Sequence, residues 1–252
     1  MSDTGLTRVA ACVRAARSVV ATTGAGISAE SGVPTFRGPG GLWRTFSASD
    51  LATAEAFARD PRLVWEWYRW RRERIRPAQP NPGHFVLARF EKTLPHFQLV
   101  TQNVDGLHQR AGSRTLIELH GNIWRSRCAA GCGQVTEVPG DGGPARPGDA
   151  PRTDLPTCTC GGLLRPDVVW FGEALQPENI ERAMDAARAC DVLLVVGTSA
   201  VVYPAAALPR VAHAAGALVV EINVEDTPLT AEADVVLRGP AGQVLPALEA
   251  LS

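Results

Sequence analysis

The sequence predicts an α/β fold built on a doubly wound parallel sheet, and two observations carry this prediction. DVLLVVG (191–197) and ALVVEIN (217–223) are nearly continuous apolar runs, which are typical of parallel strands covered on both faces. Strands and helices alternate along most of the chain, which is the order that a doubly wound sheet requires. The 252 residues suit one large domain, or a domain that carries a smaller insert.

Each element is predicted from its own local pattern. An amphipathic pattern predicts a helix over residues 6–17, and the β-branched run SVVATT, from Ser18 to Thr23, predicts the strand that follows. Pro61, near the start of DPRLVWEWYRWRRERIR, favours a helix over residues 60–76. The other predicted elements are strands at 97–100 and 115–119 and helices at 82–93, 177–190, 204–215 and 241–251. Several predicted strands end in polar or glycine-rich turns, where sheets of this class bind ligands.

The composition predicts a cytoplasmic protein. The chain is 45% hydrophobic and 20% charged, which is ordinary for a globular protein, and its net charge of −1 favours neither nucleic acid nor a membrane as a partner. No apolar run is long enough to span a bilayer, and the N-terminal segment mixes charges into a helical pattern, unlike a secretory signal. We therefore expect reduced cysteines. The oligomeric state is not readable from the sequence, which is compatible with a monomer.

A glycine-rich turn, GAGISA at residues 24–29, follows the first predicted strand. It fits G-x-G-x-x-A, a variant of the dinucleotide-binding fingerprint, in which glycines permit a tight turn and backbone N–H groups at a helix start hold a pyrophosphate. A purely structural tight turn is the alternative. An ordinary dehydrogenase continues with a helix, a second strand and, about 20 positions on, an acidic residue that binds the ribose. Residues 33–43, VPTFRGPGGLW, are instead typical of a loop, which disfavours hydride transfer.

Four of the six cysteines form two close pairs in the middle of the chain. Four thiolates are the ligand set of a closed structural zinc site, and a glycine after each pair, Gly133 and Gly161, suits the tight turns that direct two thiolates at one ion. The pairs are Cys128 with Cys132 and Cys158 with Cys160. Two disulfides or buried free thiols are the alternatives. The segment between the pairs is rich in Pro, Gly and charge and predicts an exposed loop.

Six motifs in sequence order resemble those of the sirtuin family, over about residues 6–251. They are GAGISAESGVPTFRG (24–38), TQNVDGLHQRAG (101–112), ELHG around His120, LRPDVVWFGE (164–173), VGTSAVVYPA (196–205) and EINVE (221–225). The four cysteines fall where that family carries its zinc module. Three residues separate the cysteines of the first pair and one residue separates those of the second, whereas two residues are usual in each pair of the family. This difference affects the expected local geometry of the site more than the expected presence of the metal.

The resemblance implies a Rossmann-like doubly wound parallel sheet with a small inserted zinc-binding module. The implied Rossmann-like part comprises about residues 1–38, 85–122 and 165–252, the zinc module about 123–164, and a helical insert about 39–84. NAD is the implied co-substrate, Zn²⁺ the implied structural metal, and acyl-lysine proteins are the implied partners. In the implied reaction the acyl-lysine amide oxygen displaces nicotinamide from C1′ of NAD, and free lysine and O-acyl-ADP-ribose are released.

The resemblance also assigns roles to individual residues. His120 would be the general base on a ribose hydroxyl, a role that suits the pKa of histidine, although a lone histidine at a strand end is more often structural. Asn103 would position water and the ribose, and Asp105 would hold the nicotinamide carboxamide. The other implied NAD contacts are Gly24, Ala25, Gly26, Ile27, Ala29, Phe36, Arg37, Gln102, Gly197, Thr198, Ser199, Asn223 and Ala241. For Asn223 a turn cap is the alternative. The implied contacts to the substrate peptide, which would add as a strand, are Val168, Phe171 and Gly172.

The helix at residues 60–76 bears on the acyl group. Tyr68 and Arg71 are three residues apart and therefore share a helix face. This pair resembles the acyl-pocket signature of desuccinylase-like, class III sirtuins, in which a guanidinium binds a carboxylate and a phenol adds a hydrogen bond. Ala48 falls where those enzymes leave room for a longer acyl chain. The resemblance implies removal of succinyl, malonyl and acetyl groups. The alternative is a solvated Arg71 and a core Tyr68.

Three other functions remain open at this point. A sirtuin-fold enzyme can act mainly as a mono-ADP-ribosyltransferase, and the intact His120, Asn103 and Asp105 favour deacylation over that reaction. A non-catalytic module that binds NAD or ADP-ribose is the second alternative, which loss of the histidine or asparagine would favour. A nicotinamide dehydrogenase is the third, and the missing ribose-binding acid disfavours it.

Overall fold

The structure is a computed structural model, and it describes residues 3–35, 47–138 and 155–252. The predictions for Phe36 and Arg37, and most of the loop predicted between the two cysteine pairs, lie outside the described residues. Among the described residues no helix combines the length and the apolar character needed to cross a bilayer.

A six-stranded sheet forms the centre of the described structure, and all of its strand pairs are parallel. Its strands are β1 (Ser18–Thr23), β2 (His96–Thr101), β3 (Leu116–Glu118), β7 (Val192–Val196), β8 (Leu218–Asn223) and β9 (Val235–Arg238). Their order across the sheet is β3-β2-β1-β7-β8-β9. Counted within this sheet alone the order is 3-2-1-4-5-6, the arrangement of dinucleotide-binding folds. The prediction of a Rossmann-like doubly wound sheet is confirmed.

Helices cover both faces of this sheet. The described helices are α1 (Asp3–Ala15), α2 (Ala25–Ala29), α3 (Ala48–Leu51), α4 (Ala54–Arg59), α5 (Pro61–Ile75), α6 (Pro82–Thr93), α7 (Leu107–Ala111), α8 (Pro177–Ala189), α9 (Leu208–Ala214) and α10 (Ala241–Glu249). Helices α1, α6 and α10 pack on one face, and α8 and α9 pack on the other. The predicted helix at 204–215 begins with a 3₁₀ turn, Ala205–Ala207, before α9.

The continuous apolar runs are explained by these two helical layers. In β7 the side chains of Val192, Leu194 and Val196 point into the core under α1, α6 and α10. The alternate side chains, Leu193 and Val195, point into the core under α8 and α9. Successive residues of a strand face opposite sides of the sheet. In a strand that is covered on both sides every position is therefore buried, and its residues are apolar.

A second, three-stranded antiparallel sheet lies between residues 121 and 168. It consists of β4 (Gly121–Cys128), β5 (Val135–Glu137) and β6 (Leu164–Val168), in the order β5-β4-β6. Its apolar side packs with α5 in a separate core that includes Trp65, Ile123 and Leu164. These three strands were not predicted from the sequence. The predicted division into a Rossmann-like part, a zinc module and a helical insert stays a prediction.

Candidate active site

The carboxyl ends of β1 and β7 meet where the chain connections diverge to opposite halves of the sheet, which is where such folds bind ligands. The turn after β1 is tied to the turn after β7. The Gly24 N–H donates to the Val196 carbonyl at 3.1 Å, and the Gly26 N–H donates to the Gly197 carbonyl at 2.7 Å. A Cβ on Gly26 would lie 2.7 Å from the Gly197 Cα, so no larger residue fits. The glycines therefore have a structural role, and the turn they form also borders a cavity.

A cavity of about 760 Å³ opens at this edge of the sheet. Its wall includes most of the residues that the sequence singled out for NAD, substrate or catalysis, although position alone does not assign their roles. These are Gly24, Ala25, Gly26, Ala29, Tyr68, Arg71, Gln102, Asn103, His120, Val168, Phe171, Gly172, Gly197, Thr198, Ser199, Asn223 and Ala241. Three described candidates are absent from this wall, namely Ile27, Ala48 and Asp105. Ile27 is fully buried in the core beneath the glycine turn.

His120 follows β3 and precedes β4, and its ring lines the cavity. Its Nδ1 lies 3.0 Å from the Gln102 carbonyl oxygen, which can only accept a hydrogen bond, so Nδ1 carries the proton. The Nε2 atom is then left with its lone pair. Burial lowers the pKa of His120, an effect that the hydrogen bond to Gln102 partly offsets. The imidazole is therefore neutral and able to accept a proton near neutral pH.

Asn103 lies at the end of β2 and links the ends of three segments. Its Nδ2 donates to the Gly24 carbonyl at 3.0 Å and contacts the Ser28 hydroxyl at 3.3 Å. Its backbone N–H donates to the Thr101 hydroxyl at 3.1 Å. The side chain is buried and borders the cavity. These bonds hold the amide in one orientation beside the glycine turn.

Asp105 lies behind the cavity wall. One carboxylate oxygen accepts from the Ser28 hydroxyl at 2.7 Å, and the other accepts from the Leu107 backbone N–H at 2.8 Å. Burial raises the pKa of Asp105, and these hydrogen bonds act in the opposite direction. Asp105 is not among the residues that border the cavity, and its predicted role at the nicotinamide carboxamide stays a prediction.

Asn223 ends β8 and is held at both ends of its amide. Its Nδ2 donates to the Thr198 carbonyl at 2.9 Å, and its Oδ1 accepts from the Val224 backbone N–H at 2.9 Å. These bonds are those of a turn cap, and Asn223 also borders the cavity, so its predicted contact with the adenosine ribose stays a prediction. Nearby, Gln102 Nε2 donates to the Thr198 hydroxyl at 3.3 Å, which connects the end of β2 to the turn after β7.

The four paired cysteines come together at one end of the small sheet. Their Sγ atoms all lie within 4.8 Å of one another, and Cys128 to Cys160 and Cys132 to Cys158 are each 3.5 Å apart. Four sulfurs at 2.3 Å from one tetrahedral ion are about 3.8 Å apart, whereas a disulfide bond is about 2.05 Å long. None of the four forms a disulfide, which contradicts the disulfide alternative.

The backbone around these sulfurs also suits a metal. Gly133 and Gly161 have φ angles of 83° and 87°, as the predicted tight turns require. The Cys132 backbone N–H lowers the pKa of the Cys128 thiol to about 6, whereas the pKa values of the Cys132 and Cys160 thiols are raised where they contact the neighbouring sulfurs. The residues present therefore fit a structural Zn²⁺.

Comparison with known proteins decides the family. The Sir2 family model matches residues 24–204, which is more than half of the chain. The chain belongs to the Sir2 family. A relative from Pyrobaculum aerophilum, named NAD-dependent protein deacylase 2, is 57% identical over 242 residues, which cover 95% of this chain and 93% of that protein. The NAD-dependent protein deacylase of Aquifex aeolicus is 55% identical, over 89% of this chain and 90% of its own.

Solved Sir2 structures agree with this result. A mutant Sir2 homologue in complex with ADP-ribose has a TM-score of 0.89 and 45% identity, and the match covers 100% of this chain and 96% of that one. A Sir2 homologue–NAD complex has a TM-score of 0.85 and 47% identity, over 97% and 94% of the two chains. A complex of Sir2 with a p53 peptide and NAD⁺ has a TM-score of 0.82 at 30% identity, over 96% of each. The predictions of a sirtuin and of an NAD-dependent protein deacylase are confirmed.

Helix α5 of this Sir2 chain forms one wall of the cavity with Trp67, Tyr68 and Arg71. Tyr68 and Arg71 share a face, as predicted, and both are buried, with 1% and 6% of their surface exposed. The Arg71 guanidinium lies 4.9 Å from the Trp67 ring centroid and 5.5 Å from that of Tyr68. Burial lowers the pKa of Arg71 and raises that of Tyr68. In the alternative interpretation, the solvated Arg71 is wrong and the core position of Tyr68 is confirmed.

Ala48 lies in α3 and is half-buried, outside the cavity wall. Ala52, one turn further along the chain, borders the cavity instead. Its carbonyl accepts the Phe171 N–H at 2.9 Å. The described structure therefore gives no support to the predicted role of Ala48 in leaving room for the acyl chain.

The segment after β6 crosses the mouth of the cavity. The Val169 N–H donates to the His120 carbonyl at 2.9 Å, so this segment is tied directly to the candidate base. Phe171 is 45% exposed and forms an isolated parallel bridge with Thr53. Gly172 has a φ of 83° and turns the chain away. Phe171 and Gly172, the exposed residues of this segment, border the cavity, which is compatible with the predicted addition of a peptide strand.

Two buried histidines of the Sir2 chain were missed by the sequence analysis. His84 accepts the Asn81 N–H at Nδ1, and its Nε2 lies 3.4 Å from the Ser28 hydroxyl that donates to Asp105. His108 Nε2 lies 3.0 Å from the Thr23 hydroxyl. The two rings are 4.8 Å apart. Burial lowers the pKa of His84 to about 4 and that of His108 well below its usual value, so both are neutral.

Proposed function

We propose that this chain is an NAD-dependent protein-lysine deacylase that removes succinyl and malonyl groups as well as acetyl groups, and releases nicotinamide and O-acyl-ADP-ribose. The observation that carries the acyl specificity is the burial of Arg71, a cation placed on the wall of a mostly aromatic part of the cavity, beside the Tyr68 hydroxyl.

His120 supplies the proton acceptor of this reaction. Its Nδ1 donates to the Gln102 carbonyl, so Nε2 is the atom that takes the proton from a ribose hydroxyl. The bond to the carbonyl also stabilises the imidazolium that forms after proton transfer, because the donor becomes charged. Asn103, fixed by its bond to the Gly24 carbonyl, lies on the same cavity wall and orients the ribose and a water molecule.

The carboxyl edge of the sheet holds NAD in this proposal. The backbone N–H groups at the start of α2 and the turn at Gly197 to Ser199 contact phosphate and ribose, because both turns border the cavity and approach each other closely. Asn223 borders the adenosine ribose. The four clustered cysteines hold a structural Zn²⁺, which contributes stability and takes no part in the chemistry.

The acyl chain passes along α5. A succinyl or malonyl group ends in a carboxylate, which gains a charge-assisted hydrogen bond from Arg71 and a second bond from the Tyr68 hydroxyl. Because water is excluded from this wall, the attraction between the two charges is stronger than it is in bulk solvent. An acetyl group is short and does not reach the guanidinium, so its removal does not depend on Arg71.

The test is Arg71→Met, which removes the charge and keeps an unbranched side chain of similar length. We expect kcat/KM for a succinyl-lysine peptide to fall by about 10- to 100-fold, the value of a hydrogen bond to a charged group, and that for an acetyl-lysine peptide to change by less than about twofold. Arg74→Met is the matched control, because Arg74 is exposed on the same helix. Unchanged desuccinylation in Arg71→Met would show that the acyl pocket is elsewhere.

The reaction catalysed is checked separately. Mass spectrometry of products with acetyl- and succinyl-lysine peptides is expected to show free lysine, nicotinamide and O-acyl-ADP-ribose. Transfer of ADP-ribose to the peptide or protein, without loss of the acyl group, would instead identify an ADP-ribosyltransferase.

The pH dependence of deacylation follows from the neutral His120. Burial lowers the pKa of this imidazole below its ordinary 6.5, and the reactive form is the deprotonated one. We expect kcat/KM for an acetyl-lysine peptide to rise with pH through an apparent pKa below 6.5 and to be level above it. The acetyl peptide is chosen because its acyl group does not titrate. A rise that is still under way above pH 7.5 would contradict His120 as the base.

A further inference from the structure

Trp170 borders the same cavity as Tyr68 and contacts the proposed acyl pocket. Its indole N–H donates to the Tyr68 hydroxyl oxygen at 2.9 Å, and both side chains are buried. Tyr68 belongs to α5, whereas Trp170 lies 102 residues later in the segment that crosses the cavity mouth. The bond therefore joins the wall of the acyl pocket to the backbone on which the peptide would lie.

The indole is held firmly in place. The Arg165 guanidinium lies over its ring, 3.4 Å from the centroid, and Arg165 is itself paired with Glu173 at 2.5 Å. The ring of Phe57 packs on the indole with centroids 5.4 Å apart. The Trp170 backbone N–H donates to the Glu173 carboxylate at 2.9 Å. With the ring and the backbone both fixed, the direction of the indole N–H is fixed as well.

A fixed donor controls the orientation of the phenol. A tyrosine hydroxyl has one proton to donate, and the proton prefers the plane of the ring, where it has two orientations. A donor seated on one side of the oxygen excludes the proton from that side. Within the described part of the chain no group accepts a hydrogen bond from the Tyr68 hydroxyl, so its proton is available to a ligand in the cavity.

We propose that Trp170 is a positioning residue for acyl specificity: its indole N–H orients the Tyr68 hydroxyl so that the phenolic proton meets the acyl carboxylate beside Arg71. This inference rests on the proposed preference for acidic acyl groups. It assigns no contact between the Trp170 N–H and the substrate. Arg71 also interacts with this hydroxyl, but Arg71 turns to the acyl carboxylate when the substrate binds. The Trp170 N–H is then the donor that holds the phenolic proton in the orientation that donates to the carboxylate.

The experiment is Trp170→Phe, which removes the N–H and keeps an aromatic ring. We expect KM for a succinyl-lysine peptide to rise about three- to tenfold, as for loss of one neutral hydrogen bond, with kcat unchanged and acetyl-lysine kinetics within twofold of wild type. Trp65→Phe is the matched control. Trp65 is a buried tryptophan of α5 whose N–H donates to the Leu164 carbonyl at 3.0 Å, away from the cavity wall. It loses the same kind of bond and should keep the wild-type ratio of succinyl to acetyl KM values.

A double-mutant cycle with Tyr68→Phe tests the route of the effect. Because Trp170 acts through the Tyr68 hydroxyl, Trp170→Phe should leave the succinyl KM unchanged when Tyr68 is already phenylalanine. An equal rise in KM for both peptides in Trp170→Phe alone would overturn the inference, since it would place Trp170 in general peptide binding. A further rise in the double variant would overturn it too.

The two proposals fail in different ways. If Arg71→Met and Tyr68→Phe raise the succinyl KM and Trp170→Phe does not, the positioning role is wrong and the acyl pocket stands. If neither Arg71→Met nor Tyr68→Phe alters succinyl kinetics, the acyl pocket itself is wrong, and the positioning role falls with it.

Discussion

Substitution of His120 by alanine is expected to lower kcat/KM for deacylation by about 10²- to 10⁴-fold, the usual contribution of a general base. The imidazole lies on the cavity wall, its lowered pKa keeps it neutral near pH 7, and Nε2 keeps its lone pair because Nδ1 donates to the Gln102 carbonyl. Asp105 lies behind the wall and is engaged by Ser28 and Leu107, so it cannot take over this role without rearrangement.

The measurement is nicotinamide release together with the mass of the product peptide, for acetyl- and succinyl-lysine substrates. Both activities should fall together, because the base acts after the acyl chain has been bound. His96→Ala is the control, since His96 is an exposed histidine at the first residue of β2, far from the cavity wall. Zinc content and thermal unfolding of His120→Ala should match the wild type. A properly folded His120→Ala enzyme with wild-type turnover would exclude His120 from the mechanism.

The parallel sheet was predictable because burial on both faces leaves a clear signal. In β7 every residue is buried, with successive side chains entering different cores, so the run contains no polar position. The edge strand β9 was missed because only two of its four residues, Val235 and Leu237, are buried. The short helices α2, α3, α4 and α7 have four to six residues, too few to show a helical period.

The burial of the residues that line the proposed acyl pocket on α5 was harder to predict. Helix α5 contains five arginines whose local sequence is similar, yet Arg71 and Arg72 are buried and Arg74 is exposed. The difference arises from distant segments that cover one face of the helix, such as the one that brings Trp170 onto Tyr68. The pair Tyr68 and Arg71 was recognisable from its spacing, but its burial was not.

The buried hydrogen bonds of Ser28, behind the cavity wall, were also not predictable from local sequence. Ser28 lies within the motif that the sequence analysis singled out, but its partners are 56 and 77 residues away, at His84 and Asp105. His84 lies three residues after Asn81, the N-cap of α6, and this spacing marks it as a capping residue without linking it to Ser28. Hydrogen bonds between remote segments depend on how the whole sheet brings strand ends together, which no local pattern records.

The zinc module and the candidate base are parts of one continuous structure. Strand β4 begins at Gly121, directly after His120, and ends at Cys128, a candidate zinc ligand. It pairs with β6, whose last residue, Val168, lies opposite Gly121. The Val169 N–H then donates to the His120 carbonyl at 2.9 Å. A loss of order at the cysteines therefore reaches both the base and the segment at the cavity mouth through two paired strands.

Removal of one zinc ligand is accordingly expected to affect stability and activity together. In Cys132→Ser we expect loss of the metal and a decrease of more than about 4 kcal/mol in the free energy of unfolding, because the energy of metal binding is also energy of folding. Cys12→Ser is the matched control, since Cys12 lies in α1, outside the cluster. Metal analysis of protein purified without chelator should give one zinc per chain for the wild type and for Cys12→Ser.

Removal of zinc by a chelator distinguishes a structural from a catalytic metal, because a structural metal affects stability as well as activity. With a strong chelator we expect zinc loss, lower unfolding temperature and loss of deacylation to follow the same time course, because loss of the metal frees β4 and β6 and thereby displaces His120. Added Zn²⁺ should restore all three. A zinc-free protein that keeps full stability and full activity would contradict the site, whereas full stability with no activity would point to a metal that takes part in the reaction.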